Sequence, residues 1–214
     1  MIFLFSSFLP LPDRFFSGYA FSETDFISGS GGAQAFYRET GRELTGGLDG
    51  CYVSVYMNAG VHRVGADYCG YKKLFFYNDG VVWGFSNSVR RLADHLRENG
   101  VRLRADPVQM RGLRFESTIT SQMSSFQSIV SGIALLPSDA EIVISNGVAA
   151  LEYRNIEPGD RYEDCLQVFL ERWVSRMETL LADSRCQVLC DLTGGVDSRL
   201  VFGLMNKARH RLGV

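Results

Sequence analysis

Short runs of β-branched and aromatic residues, separated by Gly, Asn and Asp, punctuate roughly the first 155 residues, a pattern that predicts strands and turns. The apolar opening, residues 1–9, reads as a buried first strand. Residues 51–57 alternate Cys51, Val53, Val55 and Met57 on one face with Tyr52, Ser54 and Tyr56 on the other, so both faces of that strand are expected to be covered. Residues 61–66 are placed beside it. Residues 73–77 and 81–85 flank Asn78-Asp79-Gly80, while 141–145 and 148–153 flank Asn146-Gly147, a dipeptide that readily takes positive φ, and each set predicts a hairpin. Between them, Val89, Leu92, Ala93 and Leu96 recur at helical spacing within residues 88–99, with Gly100 placed to end the helix. Residues 106–115 fit a shorter helix. Ser28-Gly29-Ser30-Gly31-Gly32 reads as a flexible loop, and it fails the GxGxxG spacing of a dinucleotide site.

After Asn155 the texture changes. Pro158-Gly159-Asp160 predicts a turn, and a long helix follows with Leu166, Phe169, Leu170, Trp173, Val174, Met177, Leu180 and Leu181 in register. Residues 187–192 then read as a short apolar strand, 193–197 as a glycine loop, and 198–208 as a helix striped by Leu200, Val201, Leu204, Met205 and Ala208. The expected organisation is two domains, 1–157 and 158–214.

Composition narrows the partners. With 214 residues, 46% hydrophobic and 21% charged, the chain can bury a core, and a net charge of −2 without a long Lys/Arg run leaves no electrostatic footprint for nucleic acid or an anionic membrane. The five cysteines are odd in number and lack Cys-x2-Cys pairs, which fits a reducing cytoplasm rather than a disulfide framework or a zinc ribbon. The apolar opening lacks a basic flank and a small-x-small cleavage site, and it falls short of the roughly 20 apolar residues of a membrane span.

One tract carries chemistry: Cys190-Asp191-Leu192-Thr193-Gly194-Gly195-Val196-Asp197-Ser198-Arg199. A strand delivers the chain to a turn where Gly194 and Gly195 present backbone without Cβ atoms, and the following helix directs its unpaired N–H groups to the same place. Such a place binds anions. Thr193 and Ser198 add hydroxyls, Asp197 adds a carboxylate suited to Mg²⁺ beside polyphosphate, and Arg199 either meets a phosphate oxygen or faces solvent. The loop has no Lys, so it is not a Walker A loop. A plain strand–turn–helix connection would also accept Gly-Gly with an Asp or Ser cap, but [ST]-G-G-x-D-S should arise by chance in only about one in two thousand chains of this length.

Residues 193–198 resemble the SGGxDS loop of N-type ATP pyrophosphatases, which cleave ATP between its α and β phosphates. A β-rich region ahead of that loop is similar to the order found in asparagine synthetase-like proteins. Local texture agrees: Gly65-Ala66-Asp67-Tyr68-Cys69-Gly70-Tyr71-Lys72-Lys73-Leu74-Phe75-Phe76-Tyr77 resembles that family's D-x-x-G-x-K-P-L-Y-Y strand pair, and residues 128–153, with Leu135-Leu136-Pro137, resemble the segment closing its N-terminal domain. The resemblance implies an α+β fold in which an Ntn-like (class II glutamine amidotransferase-like) β-sandwich precedes the start of an α/β PP-loop domain. It implies ATP and Mg²⁺ as ligands and a small-molecule or peptide carboxylate as substrate.

Two departures qualify the resemblance. An Ntn glutaminase uses an N-terminal Cys, Ser or Thr, whereas this chain opens Met1-Ile2-Phe3, so the front domain is expected to keep the sandwich without its chemistry unless Ser6 or Ser7 is exposed by processing. That state is known in β-lactam synthetases and lasso-peptide cyclases. Cys51, Cys69 and His62 offer the residue types of a catalytic Cys/His pair, but they are expected on strands as buried thiols and a satisfied imidazole, with Cys186 and Cys190 as core residues beside the loop and His95 and His210 on helix surfaces. The second departure is length. Residues 187–192 have no further strands to pair with, so a fragment, or completion of the ATP domain by an oligomer or partner chain, is expected. A non-catalytic scaffold with a vestigial loop is the alternative function.

Overall fold

The computed structural model describes residues 2–113, 125–155 and 161–213. Along the chain run β1 (Leu4–Ser6), β2 (Arg14–Ser22), β3 (Asp25–Ser28), α1 (Gly29–Thr40), β4 (Asp49–Asn58), β5 (Val61–Ala66), β6 (Phe75–Asn78), β7 (Trp83–Ser86), α2 (Val89–Glu98), α3 (Pro107–Gly112), β8 (Ile133–Leu135), β9 (Ala140–Ser145), β10 (Val148–Tyr153), α4 (Tyr162–Ala182) and α5 (Val196–Leu212). The fold is mixed α+β with two antiparallel sheets, one of four strands ordered β1-β7-β6-β8 and one of six ordered β10-β9-β5-β4-β2-β3.

Period-2 alternation explains how the sheets meet. Val53, Val55, Val64, Ala66, Ile142 and Ile144 of the larger sheet form one buried cluster with Phe76, Trp83 and Phe85 of the smaller. The expected two-sided strand is present: residues 52–56 of β4 are all buried. Its partner β5 pairs in the register Val53↔Ala66 to Asn58↔Val61. The smaller sheet's other face is covered by α2, whose Leu92, Ala93 and Leu96 cluster with Tyr77 and Ile133. Ser88 caps α2 by accepting from the Arg91 N–H at 3.2 Å, and Asp106 caps α3 by accepting from Val108 and Gln109.

Both hairpins form. Asn146 and Gly147 take φ of 50° and 79° between the paired ends Ser145 and Val148, and β6 pairs with β7 in the register Tyr77↔Gly84 and Asn78↔Trp83. Asp67, fully buried, accepts from the N–H groups of Tyr71 at 2.8 Å and Lys72 at 2.9 Å and so folds the segment between β5 and β6. At Gly18 the β2 and β4 backbones come so close that a Cβ would stand 2.0 Å from the Cys51 carbonyl oxygen, with φ at +122°.

The glycine run at 28–32 is corrected. It is not a loop, because α1 begins at Gly29 and winds through Gly31 and Gly32 into Ala33–Tyr37. Only Phe36 of α1 is buried, so this helix is held by few contacts. Residue 115, the expected end of the shorter helix, and the turn at 158–160 lie outside the described residues.

The chain divides into two compact units, Met1–Ala20 with Ser28–Asn155, and Phe21–Ile27 with Ile156–Val214. In the second unit α4 and α5 pack through Val174, Leu204 and Ala208, with Leu170, Trp173, Met177 and Leu181 alongside. Arg211 bridges to Glu171 at 2.9 Å and Glu178 at 3.6 Å. Phe21 meets Trp173 edge to face, the Arg176 guanidinium lies 4.9 Å from the Trp173 ring, and Thr179 donates to the Thr24 carbonyl at 2.8 Å. The N-terminal half of the α4 stripe is open to solvent, with Leu166 and Phe169 40% and 42% exposed. Among the described residues no helix is long and apolar enough to cross a membrane.

Candidate functional site

The tract 190–199 lies in the second unit and is built around one hydroxyl. Ser198 Oγ accepts from the Thr193 N–H at 3.2 Å and lies 3.0 Å from Thr193 Oγ1. Its own proton has the carbonyls of Thr193 (3.1 Å) and Gly195 (3.2 Å) as acceptors. Thr193 Oγ1 in turn accepts from the Gly195 N–H at 3.3 Å. Five residues of backbone are thereby looped over the first turn of α5.

The helix starts earlier than expected. α5 begins at Val196, two residues before the predicted start at Ser198, with Gly195 at the N-cap and no side chain capping it. Helix geometry leaves the N–H groups of Val196, Asp197 and Ser198 without intrahelical acceptors. Asp197 stands in the first turn, and Arg209, His210 and Arg211 stand in the last, which complements the helix dipole at both ends. Arg199 is exposed and donates through Nε to the Gly195 carbonyl at 3.2 Å, an arrangement that steadies the loop from outside.

The glycines bear on ligand approach differently from a conventional turn. Gly195 has φ −76° and ψ 161°, and neither loop glycine has a positive φ, so the backbone conformation does not itself demand glycine. A Cβ on Gly194 would meet no atom within 4 Å, and one on Gly195 would meet only Thr193 Oγ1 at 3.5 Å. The space before these residues is open.

The predicted strand at 187–192 is not formed. It is extended chain with no ladder partner among the described residues, because a strand exists only through the neighbour that accepts and donates its hydrogen bonds. Its faces still alternate: Cys186, Val188 and Cys190 are half-buried while Leu189 is 83% exposed. Cys186 and Cys190 are therefore not core residues. Asp183 and Arg185 form a bidentate pair just before this segment, and these bonds hold the Asp183 carboxyl down at about 2.

Other candidate groups are not assembled into a site. His62 pairs opposite Met57, at the far end of β4 from Cys51, and its Nε2 has no partner among the described residues. Cys69 is exposed in the turn beyond β5 rather than on a strand. His210 is exposed on α5, as expected. His95 is half-buried, not a surface residue: its Nε2 lies 2.8 Å from the Ser6 hydroxyl, and Phe8 stacks edgewise on its ring. Ser6 is fully buried, so this Ser–His pair is closed to any substrate. No group of three or more His, Cys, Asp and Glu fit to hold a metal occurs among the described residues. Asp197 offers one exposed carboxylate, which suits Mg²⁺ that takes most of its ligands from phosphate oxygens and water.

No protein-family model matches the chain, and no curated protein matches it in sequence.

Proposed function

We propose that residues 193–199 are the pyrophosphate-binding loop of an asparagine synthetase-like, ATP-dependent carbon–nitrogen ligase. The observation that carries the reading is the conjunction at Ser198. One hydroxyl gathers Thr193 and Gly195 over the start of a 17-residue helix whose first amides are uncapped, in front of two glycines that face open space. On this reading the two-sheet unit is an Ntn-like, class II amidotransferase-like sandwich, and α4 and α5 belong to a PP-loop domain.

The amides of Val196, Asp197 and Ser198, with the Thr193 hydroxyl, would hold the β and γ phosphates. A substrate carboxylate oxygen attacks the α-phosphorus, the Pα–O–Pβ bond breaks, and pyrophosphate leaves carrying the charge that these donors stabilise. Asp197 would hold Mg²⁺, which when bound offsets the charge of the leaving pyrophosphate. An amine then displaces AMP to form the amide. The burial of Ser6 favours free ammonia or the substrate's own amine as the nitrogen source, since that hydroxyl is closed to glutamine.

The test is a backbone-amide NMR titration of the chain with Mg-ATP. Saturable shifts at Val196, Asp197 and Ser198, lost in Asp197→Ala, support the loop; unmoved amides at all three positions reject it.

A second reading is favoured by exposed apolar side chains around the same loop. Leu189, Leu192 and Val196 are 83%, 61% and 72% exposed, with Leu200, Val201 and Phe202 following on α5. In this reading the unit is a non-catalytic surface for a protein partner, and Mg-ATP gives no rise in melting temperature.

A further inference from the structure

The first unit carries a surface that the loop does not use. Helix α3 buries none of its residues, and Val108 and Met110 on it, Leu113 after it, and Phe126 and Ile129 on the segment beside it are all exposed. A lone exposed apolar side chain is ordinary, but five on adjoining segments form a patch. Hydrogen bonds fasten the two segments together. The Asp106 N–H donates to the Ile129 carbonyl and the Ser131 N–H to the Arg104 carbonyl, each at 2.9 Å, and Gln109 Nε2 donates to Ser125 Oγ at 3.1 Å. Between them and α2 runs a groove of about 510 Å³, floored by Phe75, Val89, Ala93, Leu113, Ile129 and Val130.

Charge on the same surface has one sign in excess. The chain as a whole has a net charge of −2, yet residues 88–113 hold six arginines and no lysine against three carboxylates. Asp106 is spent on capping α3. Asp94 stands on the groove wall between Arg90 and Arg97, each 3.7 Å away, so one carboxylate serves two guanidiniums. These pairs are exposed and hold the arginines weakly, which leaves them ready to exchange partners. Arg91, Arg102, Arg104 and Arg111 are exposed and make no ion pair among the described residues.

Shape and charge together define an occupant. The apolar patch runs beyond the groove, so the occupant is longer than a small molecule. A groove is filled by a convex apolar ridge, which a helix supplies at i, i+3, i+4 and i+7 and a flat lipid surface does not. Arginines along the wall select carboxylates beside that ridge. We infer that the groove between α2, α3 and residues 127–130 docks an acidic amphipathic helix of a partner protein. None of these residues belongs to the loop at 193–199, so the surface stands or falls independently of nucleotide binding.

The test is fluorescence anisotropy on the intact chain with a labelled, end-capped helical peptide that carries leucines at i, i+3, i+4 and i+7 and glutamates between them. The same peptide with lysines for glutamates, and vesicles of phosphatidylglycerol, run beside it. The acidic peptide binds saturably and loses affinity as salt rises, and the lysine peptide binds about tenfold more weakly or worse. Arg97→Glu and Leu113→Asp, both at exposed positions, each weaken the acidic peptide about fivefold or more while the melting temperature holds. Amide shifts on the unsubstituted protein map to Ala93, Arg97, Leu113 and Ile129. Equal affinity for the two peptides, shifts confined elsewhere, or no saturable binding at submillimolar protein overturns the inference. Binding to the vesicles but not to the acidic peptide overturns it too, and makes the patch a membrane contact.

Discussion

Thr193 and Ser198 stand hydroxyl to hydroxyl at 3.0 Å, five residues apart, and this contact shapes the candidate phosphate loop without help from any ligand. The oxygen of Ser198 is at once an acceptor for the Thr193 amide and a donor to the carbonyls behind it. Its place in the proposed site is therefore as much to position the loop as to touch phosphate.

Ser198→Ala removes that hub. The loop is exposed, so the stability cost is that of ordinary hydrogen bonds, about 1 kcal/mol. On the proposed function, Mg-ATP affinity falls about tenfold or more, because the amides of Val196 and Asp197 lose their fixed aim. Thermal melting with and without Mg-ATP measures both; an unchanged ligand-induced shift counts against the loop.

Gly194→Ala separates backbone need from ligand need. Neither a positive φ nor a neighbouring atom forbids a methyl there, so the variant is as stable as the parent or gains about 0.4–1 kcal/mol by narrowing the unfolded ensemble. If polyphosphate approaches this backbone, the same methyl obstructs it and nucleotide affinity drops. Denaturant melts and a binding isotherm on one sample read the two effects.

Gly18→Ala has the opposite character. Its Cβ would lie 2.0 Å from the Cys51 oxygen and 2.8 Å from the Tyr52 Cα, both backbone atoms that cannot swing away. Separation of β2 from β4 is the expected result, with a loss of roughly 3 kcal/mol or more by analogy with overpacking and backbone strain combined. Urea unfolding of the purified variant, or its failure to accumulate folded, checks this.

Tyr52 gives a pH prediction. Its ring is fully buried, and its hydroxyl donates to the Thr45 carbonyl at 2.6 Å and accepts from the Leu48 amide at 3.0 Å. Burial raises its pKa well above the ordinary value of 10. The folded state therefore keeps the proton when the unfolded chain releases it: the stabilisation is complete below pH 10 and drains away as pH rises from there toward the folded value. Tyr52→Phe should flatten that alkaline limb while costing about 1–3 kcal/mol at neutral pH, because the Thr45 and Leu48 groups lose their buried partner. Melts between neutral pH and the alkaline limb, compared between parent and variant, decide it.

Local chemistry made much of the first unit legible. The alternation of residues 51–57, the Asn146-Gly147 turn and the helical stripe of Leu92, Ala93 and Leu96 each depend on neighbours a few residues away, and each is present where the pattern put it. Helix α1 was hidden because glycine is a poor helix former, and three glycines at its start outweighed the pattern behind them. The extended segment at 187–192 failed as a strand for the opposite reason, since apolar alternation is a local property but a ladder needs a second chain segment.

What the sequence determined by itself is the set of short-range features: hairpin turns, helical apolar stripes, and a Thr-Gly-Gly-Val-Asp-Ser tract placed at the start of a helix. Only the tertiary structure decided which side chains meet across long separations. It paired Ser6 with His95, brought Phe21 and Thr24 against α4, and buried the Ser54 hydroxyl without a partner among the described residues. The reason is physical. Hydrogen-bond geometry and backbone preference act within a few residues, whereas burial and close packing depend on surfaces that the chain brings together only when it folds.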